Sequence, residues 1–460
     1  MIPLPLSVVA DVVGGTLHGT DVTLSAPAYV DSRAPLAGGL FVAVVGERVD
    51  GHAYADGAHA VLGSRPTAAP TVVVADPVAA LGRLARHVVD RLDATVLAMT
   101  GSQGKTGTKD YLAAVLRGLA GEDAVVATAA NNNNELGVPL TVLRADPDTR
   151  HLVVEMGARG VGHISYLCDI APPSIAAVLN VGTAHVGEFG GREQIARAKG
   201  EIVEALPAEG TAVLNADDPL VAAMAPRTRA RVVTFGEAGH LRWHDLRLDA
   251  LGRPAFDLEH EGVRHPVRLR QTGIHQVPNA VAAAAMAIAA GLPADGVARA
   301  LSEARAASRW RMEVDERSDG LIVVNDAYNA NPDSMRAALE ALVAIGRGDG
   351  ARRRRTVAVL GEMKELGEEH EAGHRAVGAD AARLGVDVVV VVGEAASGIA
   401  DGARAGAGEV IVTAGRDEAT AWVRQNAGAE DVVLVKASRG AALEVVAEAI
   451  LMNGSEETTA

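Results

Sequence analysis

The sequence has one cysteine, few aromatic residues and no long apolar run. Cys168 has no partner for an intramolecular disulfide, and its apolar context, ISYLCDI, indicates a buried thiol. Aromatic residues make up 3% of the chain, so bulky stacking surfaces are few. No run of about 18 apolar residues offers a membrane span, and the N-terminus lacks the basic start of a signal peptide. We therefore expect a cytoplasmic protein with no membrane association.

Positive charge is also in deficit. The chain carries 43 Lys and Arg against 58 Asp and Glu, a net charge of -15, which disfavours nucleic acid as a partner. Apolar residues make up 48% and charged residues 22%, a balance that permits buried cores. At 460 residues the chain is long enough for two or three domains.

Alternating strand and helix patterns predict an α/β fold in three parts. Residues 1–90 alternate short apolar runs with glycine-rich turns and end in an amphipathic helix, which indicates a small N-terminal α/β domain. Residues 91–309 begin with the buried-strand run TVLAMT and continue in strand and helix alternation. Residues 310–455 contain five apolar strand runs, which predict a parallel sheet covered on both faces. The segment ASRWRMEV at the second boundary is predicted to be a hinge.

One glycine loop indicates nucleotide binding. GSQGKTGT lies between TVLAMT and the helical run KDYLAAVLRGLA, the order of a phosphate-binding strand, loop and helix. Its N–H groups would cradle phosphate oxygens, Lys105 would neutralise them, and the Thr106 hydroxyl could hold Mg²⁺. Met99 stands where an ordinary P-loop has its first glycine, so the loop is a shortened variant. The predicted contacts to the nucleotide are Gly101, Ser102, Gln103, Gly104, Lys105, Thr106 and Gly107.

Single polar residues follow other predicted strands. Glu155 ends the strand HLVVE, where its carboxylate could hold Mg²⁺ with Thr106; a solvent-facing strand end is the alternative. His185 lies among glycines just past a strand and is a candidate metal ligand or phosphate contact, although a single histidine is more often structural. Lys199 lies on a helical stretch of mixed charge, where an exposed lysine is the ordinary interpretation.

Three further segments offer polar groups. The run of four asparagines at 131–134 supplies amide donors and acceptors, or is a plain polar loop. In NDAYNANPDSM, Asp326 and Asn329 are free to meet a ligand, whereas Asn331 or Asp333 suits a helix cap. The segment VLVKASRG brings a basic pair to the carboxyl end of a strand, which suits an anionic group, with a solvated loop as the alternative. Its polar members are Lys436, Ser438 and Arg439.

Together these motifs resemble the Mur ligase family over nearly the full length of the chain. The TGSQGKT loop, Glu155 in EMGA, His185 and Lys199 occur in that family's order and approximate spacing. Within the family, DAYNANPDSM, LGEMKELGEEHEAGH and VLVKASRG resemble the branch that adds D-alanyl-D-alanine. The DNPR string of the branch that adds diaminopimelate is absent.

The resemblance implies a fold, a reaction and its small molecules. The fold would comprise an N-terminal domain for the UDP end of the substrate, a central P-loop ATPase domain and a C-terminal Rossmann-like domain. The reaction would join D-alanyl-D-alanine to the peptide carboxylate of a UDP-N-acetylmuramoyl-tripeptide through an acyl phosphate, in peptidoglycan precursor synthesis. ATP and Mg²⁺ would be the cofactors, and we expect a monomer.

The resemblance also implies roles for individual residues. The catalytic residues would be Lys105, Glu155, His185 and Lys199. The metal ligands would be Thr106, Glu155, His185 and Lys199, with Lys199 carbamylated by CO₂ so that a cation becomes an oxygen ligand. Outside the glycine loop, ATP would be bound by Asn279, Arg311, Asp326, Tyr328 and Asn329. The UDP side of the substrate would be bound by Ser32, Arg33, Asp50 and His52. The other substrate contacts would be Asn131, Asn133, Asn134, Asn331, Lys436, Ser438 and Arg439.

The chain departs from the family pattern at four positions, and three other functions stay open. Gly107 stands in place of a Thr or Ser, Ala130 and Ala437 in place of glycine, and Gln276 in place of an asparagine. The nearest alternative is a Mur-family ligase that adds a single amino acid. The others are a P-loop ATPase or kinase without ligase activity, and a nucleotide-regulated partner protein without turnover.

Overall fold

The computed structural model describes residues 1–46, 49–182, 191–348 and 353–452. Within these ranges, three successive α/β units are each built on a mostly parallel sheet. This arrangement confirms the predicted fold class. No helix in the described ranges is both long and apolar enough to span a bilayer.

The N-terminal unit is a small sheet with two helices. Its elements are β1 (Leu4–Pro5), α1 (Leu6–Val13), β2 (Thr16–His18), β3 (Thr23–Leu24), β4 (Ala28–Tyr29), β5 (Leu40–Val42), β6 (Ala60–Gly63), β7 (Thr71–Val73) and α2 (Pro77–Val89). The sheet order is β2-β7-β6-β5-β4, with β2 antiparallel to β7 and the other pairs parallel. The Asp76 carboxylate accepts the N–H groups of Val78 and Ala79 at 2.9 and 3.0 Å, which explains why α2 begins at Pro77.

The central unit carries the glycine loop. Its strands are β8 (Thr95–Thr100), β9 (Val125–Ala127), β10 (His151–Glu155), β11 (Ile175–Val178), β12 (Thr211–Asn215) and β13 (Arg231–Phe235). Its helices are α3 (Lys105–Ala120), α4 (Gly137–Val142), α5 (His163–Ile170), α6 (Arg192–Glu204), α7 (Pro219–Ala222), α8 (Gln276–Ala289) and α9 (Ala294–Glu303). The strands are all parallel, in the order β13-β12-β11-β8-β10-β9. The strands that follow β8 in the chain lie on both sides of it, so the connections change direction at the loop after β8. Open α/β sheets bind their ligands at such a point.

The first two units share a hydrophobic core. Leu81 and Leu84 of α2 belong to the same buried cluster as Ile164 and Ile170 of α5. Close approach is possible because α2 has a glycine at 82; a Cβ there would lie 3.1 Å from Ile170 Cδ1. The core therefore crosses the boundary predicted at residue 90, and that boundary stays a prediction.

The α/β alternation of the sequence did not predict an antiparallel insertion in the central unit. β14 (Arg242–Leu248), β15 (Pro254–His260) and β16 (Val263–Arg268) form a three-stranded meander. Phe256 and Leu258 alternate with more exposed residues along β15 and are buried with α8 residues. The meander thus covers one end of the central core.

The C-terminal unit has the doubly covered sheet that its apolar strands predict. Its strands are β17 (Glu313–Glu316), β18 (Ile322–Asn325), β19 (Arg355–Leu360), β20 (Val388–Val392), β21 (Glu409–Thr413) and β22 (Asp431–Lys436). Its helices are α10 (Pro332–Arg347), α11 (His370–Leu384), α12 (Ser397–Ala403), α13 (Arg416–Asn426) and α14 (Glu444–Met452). The order is β17-β18-β22-β19-β20-β21, with β17 antiparallel to β18. Short 3₁₀ turns occupy Gly51–Tyr54, Ala225–Arg227, Gly367–Glu369, Glu394–Ala396 and Arg439–Ala441.

Candidate functional site

The glycine loop is held open at the start of α3. Gly104 adopts a left-handed φ of 76°, and a side chain there would collide with the Asn279 amide. The Lys105 ammonium donates to the Gly101 carbonyl at 2.6 Å, which folds the lysine back over the loop. The loop N–H groups and the N-terminus of a 16-residue helix therefore face the same space as a cation, as phosphate binding requires.

Asn180 anchors this loop, and the sequence analysis missed it. Its side-chain Oδ1 accepts the Gln103 N–H at 2.9 Å, and its Nδ2 donates to the Gln103 carbonyl at 3.2 Å. Its backbone carbonyl accepts the Ser102 N–H at 3.1 Å. The sequence feature that could have identified Asn180 is its place at the end of the run IAAVLN, just after a buried strand of the same sheet.

Glu155 joins two of the predicted segments. It is 1% exposed, and its carboxylate accepts the Thr106 hydroxyl at 3.0 Å and the Asn133 amide at 2.8 Å. The structure therefore brings Thr106, Asn133 and Glu155 together beside Lys105. A hydroxyl and a carboxylate at this distance are hard oxygen donors of the type that Mg²⁺ prefers, so the donor set fits that ion.

Two lysines approach each other at the same place. Lys199 on α6 is 5% exposed, and burial, together with the charge of Lys105, lowers its pKa well below the ordinary value. Its ammonium has no hydrogen-bond partner among the described residues. Burial also lowers the pKa of Lys105, a shift that Glu155 opposes and Arg311 increases. The interpretation of Lys199 as an exposed lysine is therefore wrong, and the cluster has an excess of positive charge.

His185 lies outside the described residues, and its role stays a prediction. In the part of the chain that is described, no three His, Cys, Asp or Glu side chains converge as a metal site. Within the described ranges, a cation beside Thr106 and Glu155 would have these two protein oxygens, with oxygens of phosphate and water as further ligands.

On the other side of the loop, two departures from the family pattern are neighbours. The Asn279 amide lies 3.4 Å from the Gln276 Oε1. A Cβ at Gly107 would lie 3.1 Å from Asn279 Nδ2 and 3.5 Å from Gln276 Oε1. The Asn279 amide is therefore the tight contact for a side chain at position 107, and Gln276 stands behind it at an ordinary contact distance.

The segment before β17 places aromatic and basic side chains beside residues of the third unit. The Arg311 guanidinium lies over the Tyr328 ring at 4.2 Å, and that of Arg439 lies over Trp310 at 4.3 Å. Trp310 and Met312 have left-handed φ values of 58° and 52°, which cost a residue with a side chain about 1–2 kcal/mol each. This strain lies in the predicted hinge segment.

The third unit faces the glycine loop. A Cβ at Gly182 would lie 3.0 Å from the Asp333 carboxylate and 3.2 Å from Ser102 Cβ. Burial lowers the pKa of His275, a shift that Asp326 opposes and Lys436 increases, so these groups of the third unit lie within electrostatic range of the central unit. ATP at the loop would therefore meet groups from both units.

Several predicted ligand contacts in the third unit are occupied within the fold. The Lys436 ammonium, 2% exposed, donates to the Asp326 carboxylate at 2.6 Å and to the Asn329 carbonyl at 2.7 Å. Asn331 caps α10 by accepting the Ser334 N–H at 2.9 Å. The contacts of these residues with a ligand stay predictions. Their hydrogen bonds within the protein position the neighbouring loops. The Ser438 hydroxyl, likewise buried, accepts the Lys364 N–H at 2.9 Å.

The asparagine run is a structured loop. The Asn134 Oδ1 accepts the Gly137 N–H at 2.9 Å where α4 begins, and the Asn131 carbonyl accepts the Asn133 N–H at 2.7 Å. Ala130, which replaces the usual glycine, has a left-handed φ of 50°. Of the run, Asn133 reaches the Glu155 cluster.

The predicted UDP contacts lie at one edge of the N-terminal sheet. Ser32 and Arg33 follow the carboxyl end of β4, and Asp50 and His52 follow β5, its parallel neighbour. The Asp50 carboxylate lies 2.6 Å from the His52 ring nitrogen and accepts a hydrogen bond from the Arg65 guanidinium at 2.6 Å. Both partners lower the pKa of Asp50, and Arg65 has the larger effect. Arg65, which no sequence motif marks, thus belongs to the same group of side chains.

Comparisons with known proteins agree with this geometry. Residues 99–287 match the Mur ligase middle domain model, and residues 310–439 match the Mur ligase, glutamate ligase domain model. The UDP-N-acetylmuramoyl-tripeptide–D-alanyl-D-alanine ligase of Mycobacterium tuberculosis is 45% identical over 98% of both chains. The UDP-N-acetylmuramoylalanyl-D-glutamyl-2,6-diaminopimelate–D-alanyl-D-alanyl ligase of Acinetobacter baumannii superimposes with a TM-score of 0.84, at 30% identity over 98% of both chains. MurF ligase from Thermotoga maritima, solved in complex with ADP, has a TM-score of 0.81 at 30% identity, over 95% of this chain and 99% of its own. The chain therefore belongs to the Mur ligase family.

Proposed function

We propose that this protein is an ATP-dependent, ADP-forming ligase that joins D-alanyl-D-alanine to the terminal peptide carboxylate of a UDP-N-acetylmuramoyl-tripeptide. The observation that carries the proposal is the cluster of Lys105, Thr106, Glu155 and Lys199 at a glycine loop, with Arg311 approaching from the third unit. The names of the relatives support the choice of substrates. The product belongs to peptidoglycan precursor synthesis.

The reaction has two transfers. A carboxylate oxygen of the tripeptide attacks the γ-phosphorus of ATP, ADP leaves, and an acyl phosphate forms. The amine of D-alanyl-D-alanine then attacks the acyl carbon, loses a proton, and phosphate leaves as the amide forms. Lys105, Arg311 and the loop N–H groups hold the charged oxygens in place, so positioning and charge stabilisation are the main contributions of the protein.

Mg²⁺ would be held by Thr106 and Glu155. Bound there, it would neutralise phosphate charge beside Lys105. Glu155 keeps its orientation through the Asn133 amide, at 2.8 Å, so this asparagine positions a ligand even without touching the substrate. His185 is proposed as a further ligand on the family resemblance alone.

We further propose that the Lys199 amine adds CO₂. A buried amine with a lowered pKa has a larger neutral fraction, and the neutral amine is the form that attacks CO₂, releasing one proton as the carbamate forms. The carbamate would turn repulsion between Lys199 and Lys105 into attraction. Protein equilibrated with ¹³C-bicarbonate should give a carbamate carbonyl signal in NMR, and Lys199→Met should lack it.

The ligase proposal is tested by which substrates ADP release requires. We expect ADP only when ATP, the tripeptide precursor and D-alanyl-D-alanine are all present, with one amide formed per ADP. N-acetyl-D-alanyl-D-alanine, which lacks the attacking amine, is the matched control and should give no product. ADP release that is independent of the acceptor would make the protein an ATPase, and efficient use of a single amino acid would make it the other type of Mur ligase.

A further inference from the structure

A cavity of about 420 Å³ lies beside the reaction cluster. It is bounded by α3, by the end of β9 and by the segment between the second and third units. Thr128, Arg311 and Tyr328 are among its lining residues, and the Thr128 hydroxyl accepts the Glu155 N–H at 2.9 Å. The cavity therefore borders the strand end that carries Glu155.

The charged side chains that line this cavity are mostly cationic. They are Lys109, Asp110, Arg117, Arg144, Arg309 and Arg311. The one carboxylate among them, Asp110, is buried and paired with Lys109 at 2.6 Å. None of the four arginines has a carboxylate partner among the lining residues, in a chain whose net charge is -15; Arg309 has one outside the cavity, Glu448, at 3.7 Å.

Two of these arginines line the same cavity within electrostatic range of each other. Burial, and next the charge of Arg117, lower the pKa of Arg144, whose guanidinium donates to the Ala127 carbonyl at 3.0 Å. Arg117 has a carboxylate at 3.1 Å, but this partner, Glu122, is exposed to solvent. An anion between Arg117 and Arg144 would relieve their repulsion.

Unpaired donors on the cavity wall also favour an acceptor ligand. The Trp310 Nε1 and the Arg311 Nε are buried, and neither has a hydrogen-bond partner among the described residues. Both residues line the cavity. A carboxylate offers two oxygens that accept hydrogen bonds and no donor that would compete.

The distance from the reaction cluster suits a part of the substrate. Ala127 pairs with Val153, two residues before Glu155 on the neighbouring strand. Two residues of strand and one strand spacing separate the backbones of Ala127 and Glu155 by about 8 Å. An extended dipeptide spans about 7 Å. A carboxylate about one dipeptide length from the Glu155 backbone would thus reach the Ala127 carbonyl, to which Arg144 donates.

We propose that this cavity binds the substrate carboxylate remote from the new amide bond, between the Arg117 and Arg144 guanidiniums. The inference rests on the proposed function. Two such groups are proposed: the side-chain carboxylate of a tripeptide whose third residue is diaminopimelate, and the terminal carboxylate of the acceptor dipeptide. A glutamyl residue of the tripeptide also keeps a free carboxylate, but it is present in every substrate combination and would give the same loss in all four. The cavity would then select a substrate by a charge that takes no part in the chemistry.

The test compares Arg117→Gln with Arg299→Gln, a matched change at an exposed arginine of α9 paired with Asp295. kcat/KM is measured with tripeptides ending in diaminopimelate or lysine, and with D-alanyl-D-alanine or its C-terminal amide. With both carboxylates present, Arg117→Gln should lower kcat/KM about tenfold, the range for losing one charged hydrogen bond, and Arg117→Lys should restore part of it. Arg299→Gln should leave kcat/KM unchanged.

The substrate pairs identify the source of the carboxylate. If the loss disappears with the lysine tripeptide, the cavity binds the third residue; if it disappears with the amide, it binds the acceptor. No loss in any combination, or the same loss in all four, overturns the proposal. Failure of the unaltered protein to form an amide in any combination would overturn the proposed function instead.

Discussion

Gly107 and Gln276 should behave as a compensating pair. The family commonly has Ser or Thr at the first position and Asn at the second, and here the two departures meet around Asn279. We expect Gly107→Ser and Gln276→Asn each to destabilise the protein. The double variant should recover most of the loss, because the shorter side chain at 276 leaves room for the Asn279 amide to move away from the serine.

The magnitudes follow from the contacts. A serine at 107 gains about 0.5 kcal/mol of helix propensity over glycine. Its Cβ, however, would lie 3.1 Å from Asn279 Nδ2, with the hydroxyl beyond it, and such overpacking costs about 1–3 kcal/mol. Removing one buried methylene in Gln276→Asn costs about 1 kcal/mol. We therefore expect a coupling energy of about 2 kcal/mol in favour of the double variant.

Thermal unfolding of the single and double variants measures this coupling. For a domain of about 200 residues, 1 kcal/mol shifts the unfolding midpoint by about 2–4 °C, so the single variants should melt several degrees low and the double variant near the unaltered protein. Gly118→Ser is the control on the same helix, because a Cβ there has an ordinary 3.8 Å contact with Ala300. Additive midpoint shifts in the double variant would refute the reasoning.

Three further predictions concern single residues. Lys105→Ala should lower turnover about 100-fold or more with the fold intact, as measured by ADP release, since a preorganised charge contact is lost. Because the pKa of Lys199 is lowered in the folded protein, the unfolded chain binds more protons at pH values between the lowered pKa and the ordinary one, and the free energy of unfolding rises with pH across this window. The Lys199→Met variant should lack this pH dependence. It should also have a higher unfolding midpoint at pH 7 and no turnover. Burial raises the pKa of the Cys168 thiol to about 12, so a thiol reagent at pH 8 should modify it in denaturant and not in the native protein.

Most parallel strands could be predicted because each is apolar along its whole length. HLVVE and TVLAMT coincide with β10 and β8, and the predicted run EVIVT coincides with β21. Such runs are typical of strands covered on both faces, as β8 and β10 are, whereas β21 is an edge strand and is partly exposed. The meander β14 to β16 was not predicted, since β14 and β16 are polar and mostly exposed, only β15 alternates buried and more exposed residues, and the three strands interrupt the α/β order.

The candidate site divides in the same way. Lys105 and Thr106 could be placed at the phosphate site from the loop sequence, because strand, glycine loop and helix follow one another directly. Lys199 could not be placed by composition, since burial decides its character and burial depends on α6 packing. Asn331 matches the cap alternative that its sequence context offers, and Lys436 is held by Asp326, a partner 110 residues away.

The sequence alone determined the α/β class, the glycine loop and the family resemblance, because these depend on local periodicity and on residues that lie next to each other in the chain. The tertiary structure decided that Glu155 meets Thr106 and Asn133, that Lys199 lies within range of Lys105, and that arginines from α3, from the residues after α4 and from the hinge segment line one cavity. Such groups are brought together by the packing of distant elements, and burial and proximity then change their charge states in ways that local sequence does not encode.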